Sequence, residues 1–276
     1  MDIEALERKA REIRATCIQM ACDGNVGHLS STLSYVDVLV ALYYGWLKIF
    51  PDDPASPGRD RFILSKGHGC GALYAVLADR GYFPAAQLAE YNREGSSLPC
   101  HPCVHALPLV EMSSGSLGHG LGVATGILYG LRRRKSLSRV VVLLGDGECN
   151  EGSVWESAMF AAAHNLDNLL AIVDYNGIQA VGKSDDIMGH TSLEEKFRSF
   201  GWSAVTIDGS DMKSVTAALT RFPFEKGKPS AIIAKTKIGV SFMEGDVLWH
   251  YRKPSEEERV RALAELKAKP LYGPDK

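Results

Sequence analysis

RVVVLLGDG, Arg139–Gly147, is an unbroken apolar run rich in β-branched residues that ends on an acid held between two glycines. A run without polar alternation reads as a strand buried on both faces, the kind found in parallel sheets. GSVWESAMFAAAHNL (Gly152–Leu166) follows as a helix, and NLLAIVDYN (Asn168–Asn176) as the next strand. WSAVTID (Trp202–Asp208), DMKSVTAALTRF (Asp211–Phe222) and SAIIAKTK (Ser230–Lys237) continue as strand, helix and strand. This alternation predicts an α/β fold, a mostly parallel central sheet with helices on both faces. Upstream, Ala5–Ala21, Tyr35–Leu47, Gly71–Asp79 and Gly118–Arg132 read as helices and Asp60–Ser65 as a short strand, with Ser255–Lys267 a last helix. PDDPASPGRD (Pro51–Asp60) and EKGKPS (Glu225–Ser230) are loops by their Pro and Gly content, and neither reads as a domain linker. One domain over residues 1–276 is the expectation.

The composition is that of a soluble enzyme: 45% hydrophobic, 23% charged and a net charge of −2. So weak a field recruits neither nucleic acid nor an anionic membrane. No apolar run approaches a membrane span, and the N-terminus reads as a charged amphipathic helix rather than a signal peptide. Six irregularly spaced cysteines suggest reduced thiols in a cytoplasmic setting.

Ligands of doubly wound sheets sit beyond the carboxyl ends of the strands, where Asp146 lies. Gly145 and Gly147 let a phosphate come close to the backbone, facing the following helix N-terminus. Asn176, thirty positions further on, ends the next strand. A carboxylate and an amide oxygen side by side suit Mg²⁺ or Ca²⁺ shared with a diphosphate. The same tripeptide also reads as a plain turn in which Asp146 caps the next helix, and spacing alone leaves both open.

GDGECNEGSVWESAMFAAAHNLDNLLAIVDYNGIQ (Gly145–Gln179) resembles the thiamine diphosphate motif, and its surroundings resemble the transketolase family. The likeness runs in order through GNVGHLSS (Gly24–Ser31), DRFILSKGHG (Asp60–Gly69), HPC (His101–Cys103), SSGSLGHGLGVATG (Ser113–Gly126) and KTKIGVSFMEGDVLWH (Lys235–His250). It implies a thiamine diphosphate-binding fold in which Asp146, Asn176 and the Ile178 carbonyl hold a divalent ion on the cofactor's diphosphate, with the Gly147 N–H on the same group. It places Gly115 and the Leu117 backbone against the aminopyrimidine and diphosphate. His68 and His250 would lie near the diphosphate, and His28, His101 and His250 would touch the donor's C1 and C2 oxygens. Imidazoles suit such work, because ketose cleavage needs one hydroxyl deprotonated and others hydrogen-bonded near neutral pH. Any one of these histidines taken singly reads as a packed or surface residue. His119 stands where transketolases commonly carry Gln and receives no role.

LPCHPCVH (Leu98–His105) contains a C-x-x-C, Cys100 and Cys103, that reads as a redox pair or a zinc half-site. No second Cys/His pair at useful spacing follows, so the sugar-contact reading of His101 is preferred.

In transketolases the glutamate that activates the aminopyrimidine lies on a second, pyrimidine-binding domain, and the residues read here contain no such domain. The resemblance therefore implies one subunit of a split transketolase, or a truncated chain; LSKGH, GVSFME and the KPLYGPDK tail favour the former. A partner chain would supply the missing domain in an α₂β₂ assembly, inactive as separate chains. Glu151 matches a family glutamate at that junction, or is a solvated first-turn residue favoured by the helix dipole. Donor and acceptor remain open beyond a ketose phosphate and an aldose-type acceptor. The rivals are the α chain of a thiamine-dependent 2-oxo acid dehydrogenase, which leaves His28, His68, His101 and the glycine loop unexplained, and a Mg-nucleotide module, which lacks a Walker loop.

Overall fold

The computed structural model describes residues 2–273, so the end of the KPLYGPDK tail and the outer limits of the 1–276 domain reading lie outside the described residues. Seven strands occur among them: β1 (Arg61–Leu64), β2 (Val140–Gly145), β3 (Leu169–Tyr175), β4 (Ile178–Gln179), β5 (Gly182–Lys183), β6 (Ser203–Asp208) and β7 (Ser230–Lys235). Five of them form a sheet in the order β1-β2-β3-β7-β6, every neighbouring pair parallel. The helices are α1 (Ile3–Gly24), α2 (Leu29–Leu33), α3 (Val36–Ala41), α4 (Cys70–Asp79), α5 (Gly120–Arg133), α6 (Gly152–Ala163), α7 (Ser184–Met188), α8 (Leu193–Ser199), α9 (Met212–Thr220) and α10 (Glu256–Leu266). None is long and apolar enough to cross a membrane.

Side chains alternate across a strand, and here each side meets its own core. Val141, Leu143, Leu170, Ile172, Ile232 and Ala234 pack with α1, α3, α4, α9 and α10. Val140, Val142, Leu144, Leu169, Ala171, Val173, Ala231 and Ile233 pack with α5, α6 and α8. This is why β2 shows no polar alternation. The chain steps from β1 to β2 to β3 through α5 and α6 on one face. It returns from β6 to β7 through α9 on the other. Reversing direction and face together keeps the crossovers right-handed.

Most predicted elements fall within a few residues of their expected bounds, and the differences are local. The helix expected over Tyr35–Leu47 is α3 continued by a wider π-type turn, Leu42–Trp46. α5 starts at Gly120 rather than Gly118, whose φ of +83° lies outside the helical region. α6 stops at Ala163, and Asn165 follows with φ +50°. The strand predicted to Lys237 ends at Lys235. At α10 a full capping box at Ser255 and Glu258 sets the start. The short α2, α7 and α8 and the β4–β5 hairpin were not expected.

One glycine shows how closely the elements meet. The Gly120 N–H donates to Ser65 Oγ at 3.0 Å, and a Cβ there would lie 2.4 Å from Ser65 Cβ. Gly120→Ala must push α5 from the end of β1. The expected loss is about 1–3 kcal/mol, read from urea unfolding; an unchanged midpoint would show that the contact yields freely.

Candidate active site

The carboxyl ends of β2 and β3 open into a cleft of about 530 Å³, into which α2, the turn before α4, the glycine loop before α5 and the segment around His250 also reach. All twelve residues named from the sequence line it: His28, His68, His101, Gly115, Leu117, Gly145, Asp146, Gly147, Glu151, Asn176, Ile178 and His250.

Register pairs Gly145 with Asp174, so Asp146 and Asn176 leave neighbouring strands side by side. Asp146 is buried, with Oδ1 accepting from the Gly147 N–H at 2.9 Å. Its Oδ2 accepts from the Gly177 N–H at 3.1 Å and from Ser184 Oγ at 2.6 Å. The Asn176 amide oxygen accepts from the Ile178 N–H at 2.9 Å, which turns the chain and aims that oxygen. The turn reading of GDG is realised in part, since Asp146 caps a short 3₁₀ turn, Gly147–Asn150, and α6 begins only at Gly152.

Burial, with the Asp174 charge adding, raises the Asp146 carboxyl to about 6, against the hydrogen bonds from Ser184 and Gly147 and the Lys66 charge, which lower it. A carboxylate so placed gains from a cation. Oδ1 accepts one bond and keeps a lone pair free. No group of three or more His, Cys, Asp and Glu able to hold a metal occurs among the described residues. One carboxylate, one amide oxygen and one backbone carbonyl therefore fit a hard cation that takes its other oxygens from a ligand and water. A side chain at Gly147 would strike Gln179, whose Cδ lies 2.8 Å from the position of a Cβ.

Four imidazoles cluster in the same cleft. Ring centroids of His28 lie 5.2, 6.2 and 4.8 Å from those of His68, His101 and His250, and His68 lies 5.5 Å from His250. His28 has φ +59°, a left-handed backbone unusual for a side-chain-bearing residue. Its N–H donates to the His250 carbonyl at 3.0 Å, and its buried Nδ1 has no hydrogen-bond partner, an atom placed to meet a ligand. Burial, with the nearby Lys66 charge, lowers His68 to about 2, and burial, His28 and Lys66 lower His250 to about 4. Burial also lowers His28, with His101 adding, and lowers His101. All four are neutral at pH 7.

These shifts predict an acid limit to stability. Unfolded imidazoles titrate near 6.5, whereas folded His68 and His250 stay neutral to about 2 and about 4. Between pH 6.5 and 4 the unfolded chain binds more protons, so stability is full above 6.5 and falls as pH drops. The slope from this pair approaches about two protons, and His68→Gln removes about one of them. Urea midpoints between pH 7 and 4.5 measure it; a flat profile would refute neutral burial.

Two buried acids in the cleft were missed. Glu148 Oε1 accepts from the Gly118 N–H at 2.8 Å and from Ser65 Oγ, and Oε2 accepts from the Gly145 N–H at 3.0 Å. It ties the GDG turn to β1 and to the glycine loop, and burial raises its pKa. Asp174 pairs with Lys66, both side chains nearly inaccessible at 0% and 2%. Lys66 Nζ also donates to the Ser31 carbonyl at 2.8 Å and lies 4.7 Å from the Tyr35 ring centroid. Ser34 Oγ, at 2.6 Å, and the Thr236 hydroxyl donate to Asp174. Lys66 stands in the quoted SKGHG stretch, yet no periodicity marks a lysine as buried. Ala180, Val181, Ile187 and Met188 add an apolar rim from the β4–β5 hairpin and α7. Glu151 is exposed at the start of α6 and makes no capping bond, and His119 is exposed with Nδ1 2.9 Å from the Leu117 carbonyl.

A parallel sheet with a carboxylate, an amide and a glycine turn at adjoining strand ends defines an α/β domain that holds a phosphorylated ligand at the strand termini. The family model described as "Transketolase, thiamine diphosphate binding domain" matches residues 6–263. The chain is 40% identical to an apulose-4-phosphate transketolase subunit from Actinobacillus succinogenes over 270 residues, 97% of this chain and 98% of that protein. It is likewise 40% identical to the 6-deoxy-6-sulfo-D-fructose transketolase subunit SqwG of a Clostridium species, covering 95% and 96% of the two chains. Among solved structures, the transketolase from Campylobacter jejuni superposes with a TM-score of 0.92 at 29% identity. That match covers 99% of this chain, which spans 44% of the Campylobacter chain. The protein belongs to the transketolase family and carries its thiamine diphosphate-binding domain fold.

Proposed function

We propose that this chain is the diphosphate-binding subunit of a two-chain transketolase, built as one domain, that moves a two-carbon ketol unit from a ketose phosphate donor to an aldose-type acceptor. The reading rests on one observation: Asp146 and Asn176 line the same cleft as four clustered imidazoles. Asp146, the Asn176 amide oxygen and the Ile178 carbonyl would hold Mg²⁺, or Ca²⁺, against the diphosphate, with the backbone at Gly145 and Gly147 free to approach it. His68, His250, Gly115 and Leu117 would seat the rest of the cofactor. When bound, thiamine diphosphate supplies the nucleophilic carbon that takes up the ketol unit. His28, His101 and His250 would orient the donor's oxygens and carry the proton released from its hydroxyl, work for which a positioned imidazole is suited.

Two relatives of matching length are named as transketolase subunits, which supports a separate partner chain. Glu151, exposed at the cleft, would face that chain in an α₂β₂ assembly. Six free cysteines fit a reducing cytoplasm. The test is to purify this chain, supply thiamine diphosphate and Mg²⁺, and follow ketol transfer with and without the neighbouring-frame product that carries a pyrimidine-binding domain. Donors should include pentose phosphates, apulose 4-phosphate and 6-deoxy-6-sulfo-D-fructose. The expected result is weak cofactor binding and no turnover by the chain alone, with turnover on mixing. Robust transfer without the second chain would overturn the proposal.

A further inference from the structure

Glu148 lines the cleft yet is sealed from solvent, at 1% exposure, and neither metal binding nor proton transfer uses it. A carboxylate is costly to bury unless donors converge on it. Here they come from three separate segments. The Gly145 N–H, at the end of β2, donates to Oε2, whereas the Gly118 N–H of the glycine loop and Ser65 Oγ at the end of β1 donate to Oε1. Ser65 is itself fixed, its N–H donating to the Leu143 carbonyl at 2.9 Å and its Oγ accepting from the Gly120 N–H. The loop held in this way has neither helix nor strand from Ser113 to His119, and Gly115 and Leu117 carry it to the cleft wall. Its far end is tied by the Ser114 N–H to the Pro102 carbonyl at 3.1 Å and by Ser113 Oγ, which accepts from the Val104 N–H at 3.0 Å. Its near end is tied at Gly118, whose N–H goes to Glu148 and whose carbonyl accepts from Ser153 Oγ at 2.8 Å. Gly118 has φ +83°, and a Cβ there would lie 2.7 Å from Glu151 Cβ, so the loop has no room to slide toward α6. Asp146 is anchored separately, by Gly147, Gly177 and Ser184.

We propose that Glu148 is a positioning residue that fixes the span between the glycine-loop wall, at Gly115 and Leu117, and the Asp146 turn, so that the cleft fits a ligand that must reach both. The proposal rests on the thiamine diphosphate reading, in which the diphosphate is held at Asp146 and the rest of the cofactor lies against Gly115 and Leu117. The physical reason is acceptor count. An ionised carboxylate offers lone pairs on both oxygens and no donor, which suits the three donors that meet it. Glutamine has the same shape but puts an N–H₂ where one oxygen stood. Whichever way that amide turns, the backbone N–H of Gly118 or of Gly145 meets a donor and must draw back. Either movement changes the span between loop and turn, and neither removes a tie of the Asp146 carboxylate.

A short and a long ligand separate positioning from stability. Inorganic diphosphate with Mg²⁺ engages the Asp146 end alone, whereas thiamine diphosphate with Mg²⁺ spans both ends. In the complex with the partner chain, Glu148→Gln should weaken thiamine diphosphate about ten- to a hundredfold, the usual loss when a residue that orients ligand-holding groups is removed, and leave inorganic diphosphate within about twofold. A general loss of fold would lower both together. In the full-length chain without ligand, hydrogen exchange should speed at the Gly118 or the Gly145 amide and stay unchanged in β6 and β7. Ser153→Ala frees the Gly118 carbonyl without touching Glu148 and should show the same split at smaller size; it decides the matter if Glu148→Gln does not fold. Equal loss of both ligands, unchanged affinity for thiamine diphosphate, or unchanged exchange at both amides each overturns the proposal. A wild-type complex that binds inorganic diphosphate but not thiamine diphosphate would overturn the cofactor reading instead, and exchange would still decide whether Glu148 holds the loop.

Discussion

Asp146→Ala is expected to weaken Mg²⁺-dependent thiamine diphosphate binding by at least about a hundredfold, since even loss of a partner that merely orients a metal ligand costs about 10–100-fold. The Asp146 carboxylate is buried, holds three donors through Gly147, Gly177 and Ser184, and has burial pushing its pKa to about 6. A cation beside it would relieve the desolvation that burial imposes. Alanine also leaves those donors unpaired, so some stability is lost as well. Asp146→Asn separates the effects, because it keeps an oxygen acceptor and removes the charge. Calorimetric titration of both variants with Mg²⁺ and cofactor, alongside urea unfolding, reads affinity and stability independently. Wild-type affinity in Asp146→Asn would remove the metal reading, whatever the fold does.

The largest stability effect should come from Asp174→Ala, a loss of about 3–5 kcal/mol, as for other buried pairs deprived of one partner. The substitution strands the Lys66 ammonium among the Ser31 carbonyl and the Tyr35 ring, with its side chain 2% exposed. It also removes the acceptor for the Ser34 and Thr236 hydroxyls, which join the segment after α2 and the end of β7 to β3. Replacing both members, Lys66→Met with Asp174→Asn, should recover much of that loss, because no charge is then left alone. Urea midpoints for the two singles and the double measure the coupling. A loss under about 1 kcal/mol in Asp174→Ala, the range of an exposed pair, would show that water reaches the site.

Local pattern made much of this molecule legible. Val140–Leu144 and Leu169–Val173 are apolar throughout because both faces of the central strands are covered, and the helices expected from Asp211 and Ser255 start where those side chains cap them, a local chemistry. The twelve residues that line the cleft were singled out for a different reason, as members of an ordered set of motifs, since no periodicity distinguishes His28 or His101 from any other histidine. What escaped was whatever depends on a distant neighbour. Lys66 and Asp174 are 108 positions apart, and Ser65 and Glu148 are 83 apart. A charged residue in sequence reads as exposed by default, and only the fold reveals the partner that lets it be buried.

The sequence by itself determined the class of fold, the order of the longer helices and the strands of the parallel sheet along the chain, and which strand ends carry an acid and an amide, because burial on two faces and turn chemistry act through neighbours a few residues away. Tertiary structure decided the strand order β1-β2-β3-β7-β6, the convergence of four imidazoles from separate loops, their neutrality and the contact of Cys100 with His101. Those properties arise from desolvation and from approach through space, and both exist only once the chain has closed around the cleft.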